Sequence, residues 1–161
     1  MGSQVHGKAK SYWVWVTRPD YYLEENGEPR AELEPGYRGE KTWTCDKNTR
    51  AGDLVLLYRT APKSDIAYLL RAEKNASPIM GDAYAAKMGW TYECTYRSLY
   101  RFETTLTYRT MIADPDLKNW PALSGRFQRT AWPIPATIFE HLSKVLGRLC
   151  PGSRKVFADA D

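Results

Sequence analysis

The chain has 161 residues and a mass of 18.5 kDa, room for one domain with a real core and too little for two. Hydrophobic residues make up 43% and aromatic residues 13%, which excludes a disordered or low-complexity chain. Lys and Arg number 23 against 19 Asp and Glu, and the resulting formal charge of +4 tilts towards a polyanionic partner without demanding one.

Met1 to Lys10 is polar, contains Gly2 and Gly7, and reads as a flexible leader or a tag remnant. The run Tyr12-Trp13-Val14-Trp15-Val16-Thr17 is aromatic and β-branched and predicts a central strand. It stops at Arg18-Pro19-Asp20, where the proline ring holds Arg18 extended. Asn26 to Gly39 carries Gly27, Pro29, Pro35, Gly36 and Gly39 among charges and predicts a long loop. Asn48 to Asp53 is a polar turn before a buried strand, Leu54 to Tyr58. Pro62-Lys63-Ser64-Asp65 then turns the chain into a second strand, Ile66 to Ala72, which makes an antiparallel hairpin. Within Ser77 to Met88 a short helix is expected, ended by Gly89. Trp90 to Tyr96 and Leu99 to Thr110 alternate and predict two more strands, the second with one wet face.

Pro115, Pro121, Gly125, Pro133 and Pro135 confine the next segment to short turns and a small strand around Phe127. Ala136 to Leu149 reads as the principal helix, with Ile138, Leu142, Val145, Leu146 and Leu149 inward and Glu140, Lys144 and Arg148 outward. Pro151-Gly152 ends it, and residues 151–161 read as a flexible tail or the start of a linker. The class is α+β: a twisted, mostly antiparallel β barrel of about five or six strands with flanking helices and a C-terminal helix, in one domain spanning residues 11–150.

Cys45, Cys94 and Cys150 are widely spaced and form no CxxC, so neither a disulfide framework nor a zinc site is indicated. There is no GxGxxG and no Walker run; Gly36-Tyr37-Arg38-Gly39 is too isolated to count as a phosphate loop. His6 lies in the leader and His141 on the last helix, which disfavours a histidine-based triad or a zinc deaminase. Asp114 and Asp116 around Pro115, and Asp20 near Glu24 and Glu25, have turn character rather than nuclease spacing. No catalytic residue, metal or cofactor is expected. No apolar run approaches the roughly 18 to 20 residues that span a bilayer, and Met1 to Ser11 lacks a signal core, which predicts a soluble cytoplasmic protein with no membrane partner.

From Trp43 to Tyr58 the pattern resembles the EVE domain, a branch of the PUA-like superfamily related to YTH, ASCH and SRA domains. The resemblance rests on Tyr12-Trp13-Val14, the approach Trp43 to Arg50, and Gly52-Asp53-Leu54-Val55-Leu56-Leu57-Tyr58. It continues through Leu117 to Leu123, Gly125-Arg126-Phe127-Gln128 and Trp132-Pro133-Ile134-Pro135 with its helix. It implies the barrel already read from the elements, and a reader of modified bases that are turned out of the helix into a pocket. It further implies that such modules occur alone or fused to restriction ATPases or HNH-type nucleases, so a modification-dependent restriction enzyme is one setting.

Base recognition needs a ring to stack on, donors and acceptors for the base edge, and cations for phosphates. Trp43 is the first choice of ring; a core tryptophan is the plainer alternative. Asp46 offers an acceptor for a cytosine amino group, Asn48 a partner for a base amide, and Thr44 and Cys45 backbone groups; Asp46 and Asn48 are also ordinary turn formers. By resemblance, Trp15, Thr17 and Arg18 at the end of the first strand form the opposite wall. Gln128 offers donor and acceptor, Arg126 and Arg129 can neutralise phosphates, with a solvated surface the plainer alternative, and Phe127 reads as a core plug. Arg59 and Lys63 are weaker rim candidates. The leading expectation is a non-catalytic reader of 5-methylcytosine or a derivative in double-stranded DNA, alone or with a fused or associated nuclease. An RNA-binding PUA-type module for a modified or unpaired nucleotide stays open, as does a small-molecule or protein-interaction domain.

Overall fold

A computed structural model describes residues 10–160. The expected leader, apart from Lys10, lies outside the described residues. The chain forms β1 (Tyr12–Thr17), α1 (Pro19–Tyr22), β2 (Thr42–Thr44), β3 (Leu54–Arg59), β4 (Asp65–Ala72) and β5 (Ser77–Pro78). There follow α2 (Ala83–Met88), β6 (Tyr92–Thr107), α3 (Tyr108–Ile112), α4 (Pro121–Ser124), β7 (Ala131–Ile134), α5 (Ala136–Leu149) and α6 (Ser153–Ala160).

The strands run β2-β6-β4-β3-β1-β7 across one curled sheet, with β5 also on β6. Among the described residues only β1 and β3 run parallel, with Trp13 opposite Val55 and Trp15 opposite Leu57. The remaining pairs are antiparallel. Irregularities at Leu57/Tyr58, Ile66/Tyr68 and Leu69/Leu70 add local twist and help curl the sheet into a half-barrel. The expected α+β class forms, with a twisted, mostly antiparallel sheet, flanking helices and a C-terminal helix; the expected barrel of about five or six strands is a seven-stranded half-barrel.

Both faces of the central strands are covered, which explains why β3 reads as a continuous apolar run rather than an alternating one. Val14, Leu54, Leu56, Ile66 and Leu69 face a core sealed by Leu142 and Leu146 of α5 and by Trp120. Trp13, Trp15, Val55, Leu57 and Leu70 face a second core with Tyr22, Leu33, Cys94 and Tyr96. The period of two along β1 therefore divides its tryptophans from its valines, as the sequence predicts.

Asp53 explains the Gly-Asp step before β3. Its carboxylate accepts from Ser11 N at 3.1 Å, Trp13 Nε1 at 2.9 Å and Arg50 N at 2.9 Å, which ties the start of β1 to the turn. Gly52, at φ +94, supplies the left-handed backbone that a side chain would oppose. The motif is a structural clamp.

Several expectations change. Residues 153–160 are helical because Phe157 enters the core beside Phe102, at 6.1 Å, and Phe139, at 6.0 Å; the tail is part of the domain. The two strands expected from Trp90 to Thr110 are one 16-residue strand, β6, and the chain turns helical at Tyr108. No strand forms around Phe127; the strand comes later, at Ala131–Ile134. The loop from Asn26 to Gly39 holds a turn of 3-10 helix at Ala31–Leu33, anchored by buried Leu33. Among the described residues, no helix is long and apolar enough to cross a membrane.

Candidate nucleic-acid interface

A cavity of about 690 Å³ opens between the end of β1, the β2–β6 edge, α2 and the turn after α4. That size falls in the range of small-ligand sites. Its aromatic walls are Trp43 on β2, Tyr21 on α1 and Trp90 before β6. Tyr21 meets Trp43 edge-on at 6.2 Å and Trp90 at 5.7 Å, and Trp43 also meets Tyr96 at 6.4 Å. Trp43 is half-buried, neither a free surface ring nor a sealed core residue. Pairing of Thr42 with Thr95 and of Thr44 with Glu93 fixes its strand.

A second layer locks this wall. Tyr84 on α2 stacks edge-on against Trp90 at 5.5 Å, and its hydroxyl lies 2.5 Å from that of Tyr21. That hydrogen bond raises the Tyr21 hydroxyl above its ordinary pKa. Asp82, although it lines the cavity, accepts from Ala85 N at 3.0 Å as the cap of α2. Glu93 is different: it lines the cavity half-buried, and its carboxylate makes no hydrogen bond or ion pair with a described residue.

The opposite rim comes from a strained turn. Arg126 at φ 56 and Phe127 at φ 51 are consecutive left-handed residues without being glycine, a conformation that costs about 1–2 kcal/mol each. Burial of Phe127 offsets it. Its ring stacks on Tyr58 at 4.1 Å and meets Trp120 edge-on at 5.4 Å, and Phe127 N donates to Ala122 O at 2.9 Å. A fully buried Phe contributes about 1.5–3 kcal/mol, comparable to the strain it holds. Arg126, Gln128 and Arg129 thereby sit exposed at the cavity. Arg129 lies 4.4 Å over the Trp132 ring, which packs so close to Gly125 that a Cβ there would come within 2.8 Å of it. Arg18, extended before Pro19, completes the cationic edge. None of Arg18, Arg126 and Arg129 ion-pairs with a described carboxylate.

The sequence-expected residues thus divide. Trp43, Thr44, Gln128, Arg18, Arg126 and Arg129 come together at the cavity. Trp15 and Thr17 do not: they are 0% and 1% exposed, inside the second core, because β1 is covered on both faces. Cys45 is buried against Cys94, and the hydrogen bond between the thiols holds Cys45 below, and pushes Cys94 above, the usual thiol range. Asp46 closes a turn, accepting from Asn48 N at 2.8 Å through its side chain and Thr49 N at 3.0 Å through its carbonyl; Asn48 itself is exposed outside the cavity. Arg59 is buried in a two-bond pair with Asp65, both bonds 2.8 Å, and Lys63 is exposed elsewhere. The sequence reading missed Tyr21, Trp90 and Glu93. The first two carried a signal, aromatic rings at element ends beside proline and glycine, while Glu93 looked like any wet-face residue of an alternating strand.

Protein-family profiles and curated proteins give no match to this chain. Solved structures do match it. Rpa0253 from Rhodopseudomonas palustris is 19% identical with a TM-score of 0.64, covering 87% of this chain and 94% of that one. Human THYN1, solved in complex with 5-methylcytosine containing DNA, is 16% identical with a TM-score of 0.63, covering 88% and 98%. The ASCH protein of Zymomonas mobilis is 7% identical with a TM-score of 0.53, covering 83% and 95%. At these identities the likeness shows the fold alone: the curled half-barrel with flanking helices is shared with these structures.

Proposed function

We propose that this chain is a non-catalytic reader of a modified base in DNA, 5-methylcytosine or a close derivative, which it takes out of the duplex into the cavity. One observation carries the reading: a pocket walled by Trp43, Tyr21 and Trp90 opens beside three arginines that form no ion pair with a described carboxylate. A base turned out of the helix loses its stacking, and each aromatic contact returns about 1–3 kcal/mol of it. Arg18, Arg126 and Arg129 supply charge where the strand would pass. The DNA complex of THYN1, on the same fold, supports the same ligand class here.

Glu93 replaces Asp46 as the acceptor for a cytosine amino group. A carboxylate accepts from N4 of cytosine and repels the O4 of thymine. Gln128, across the cavity, offers both a donor and an acceptor. A setting in which a nuclease is fused or associated with the reader fits this role.

The test is a titration of labelled duplexes that differ only in the modification of one cytosine, at two salt concentrations, with matched single-stranded RNA as competitor. Tighter, salt-sensitive binding of the methylated duplex supports the reading. Equal affinity for every duplex ends modified-base recognition, and preference for the RNA transfers the site to an RNA reader.

A further inference from the structure

Gly36-Tyr37-Arg38-Gly39, too isolated in sequence to count as a phosphate loop, folds onto a second cavity of about 740 Å³ beside β2 and β6. Gly36 turns the chain at φ +90. The Tyr37 ring folds back over Gly39 so closely that a Cβ at Gly39 would meet it at 2.7 Å. Into the space so enclosed comes Lys41, a cation that is only 7% exposed.

The surroundings of Lys41 are unusual for a buried ammonium. Its Nζ lies 5.3 Å from the ring centroids of both Tyr37 and Tyr96. The rings attract the charge but offer its strong N–H donors no oxygen acceptor. No described carboxylate or carbonyl bonds Nζ. The two acids of the cavity wall are engaged elsewhere: Glu73 with Arg97 at 3.2 Å, and Glu40 with Lys74 at 3.8 Å. That leaves Lys41 and exposed Arg38 without an ion pair among the described residues, although Glu73 and Glu32 act on Lys41 through space. Burial, the largest influence, lowers the pKa of Lys41, which records the cost of enclosing the charge.

We propose that this cavity is a second binding site, for a phosphate group, with Lys41 as the point charge inside it and Arg38 as the charge at its edge. An oxyanion there completes the hydrogen bonding of the ammonium and balances both cations. Its position suits a phosphate of a bound strand as well as a free one, because Tyr96 touches Lys41 on one side and Trp43 of the first cavity on the other. The site stands without the base-reading proposal, since inorganic phosphate is sufficient to fill it.

The experiment follows the Lys41 ammonium and the Tyr37 and Tyr96 ring signals by NMR. Inorganic phosphate is added to one sample, chloride at equal ionic strength to a second, and an unmodified single-stranded oligonucleotide to a third. Saturable shifts confined to these groups with phosphate, and none with chloride, are expected. Lys41→Met should weaken binding about tenfold or more, Lys41→Arg should retain it, and Lys63→Met should leave it unchanged. If only the oligonucleotide produces the shifts, the backbone phosphodiester is the ligand, and Lys41→Met then lowers the salt slope by about one. Absence of a saturable response at Lys41 with both probes overturns the site, as does unchanged affinity in a folded Lys41→Met protein.

Discussion

Replacing Trp43 with alanine separates a stacking ring from a packing ring. In the free protein the indole makes edge contacts with Tyr21 at 6.2 Å and Tyr96 at 6.4 Å. Each contact contributes about 0.5–1.5 kcal/mol beyond area burial, so truncating this half-buried side chain should cost about 2–3 kcal/mol of stability. Loss of the stack on a bound base adds a separate penalty of about 1–3 kcal/mol in affinity, or about 5- to 150-fold in Kd. Trp43→Phe keeps a ring face and should recover part of both. The stability arm is urea denaturation followed by circular dichroism; the binding arm is fluorescence anisotropy with a 5-methylcytosine duplex. A folded Trp43→Ala protein that binds within twofold of the parent refutes the stacking role, however large its loss of stability.

Glu93→Gln should reduce the preference for 5-methylcytosine over thymine placed opposite the same guanine, a pair of bases with a common methyl group, by about 1–3 kcal/mol; unchanged discrimination would remove Glu93 from base reading. Phe127→Ala should release the left-handed turn at Arg126, destabilise the protein by about 3–5 kcal/mol and weaken DNA binding in the residual folded fraction, measured by calorimetry and anisotropy. Asp65→Ala strands the buried Arg59 guanidinium and should cost about 3–5 kcal/mol in denaturant unfolding, with little effect on Kd once folded, since neither residue lines the base cavity. Burial pushes the Asp114 carboxyl up, but the His141 hydrogen bond at 2.6 Å, the Asp116 N–H and the nearby positive charges outweigh it and leave its pKa lowered. Its contribution is therefore present above the ordinary carboxylate pKa and disappears as pH falls through the lower folded value. His141→Asn should raise the Asp114 titration midpoint in NMR and shift that loss of stability to higher pH.

Much of the fold was legible because it is written in local terms. The period of two in Tyr12 to Thr17 separated the tryptophans from the valines, and the spacing of Leu142 and Leu146 marked the helix that seals the first core. The tail was misread because Ser153 to Ala160 has a short, mixed pattern, and its helix is stabilised by Phe157 reaching Phe102 and Phe139, which are distant in sequence. Phe127 was legible as a plug, but not the left-handed backbone that its burial enforces.

The candidate site divides along the same line. Residue chemistry nominated Trp43, Gln128 and the arginines, since a stacking ring, an amide and cations announce themselves by type. It could not separate Trp43 from Trp15, or Glu93 from Asp46, because side-chain chemistry does not say which face of a curled sheet stays open. Sequence determined the half-barrel and its supply of rings and charges. Only the tertiary structure decided which of them share a cavity: covering β1 on both faces seals Trp15 and Thr17, whereas the β2–β6 edge, α1 and the Arg126–Phe127 turn leave a gap beside Trp43.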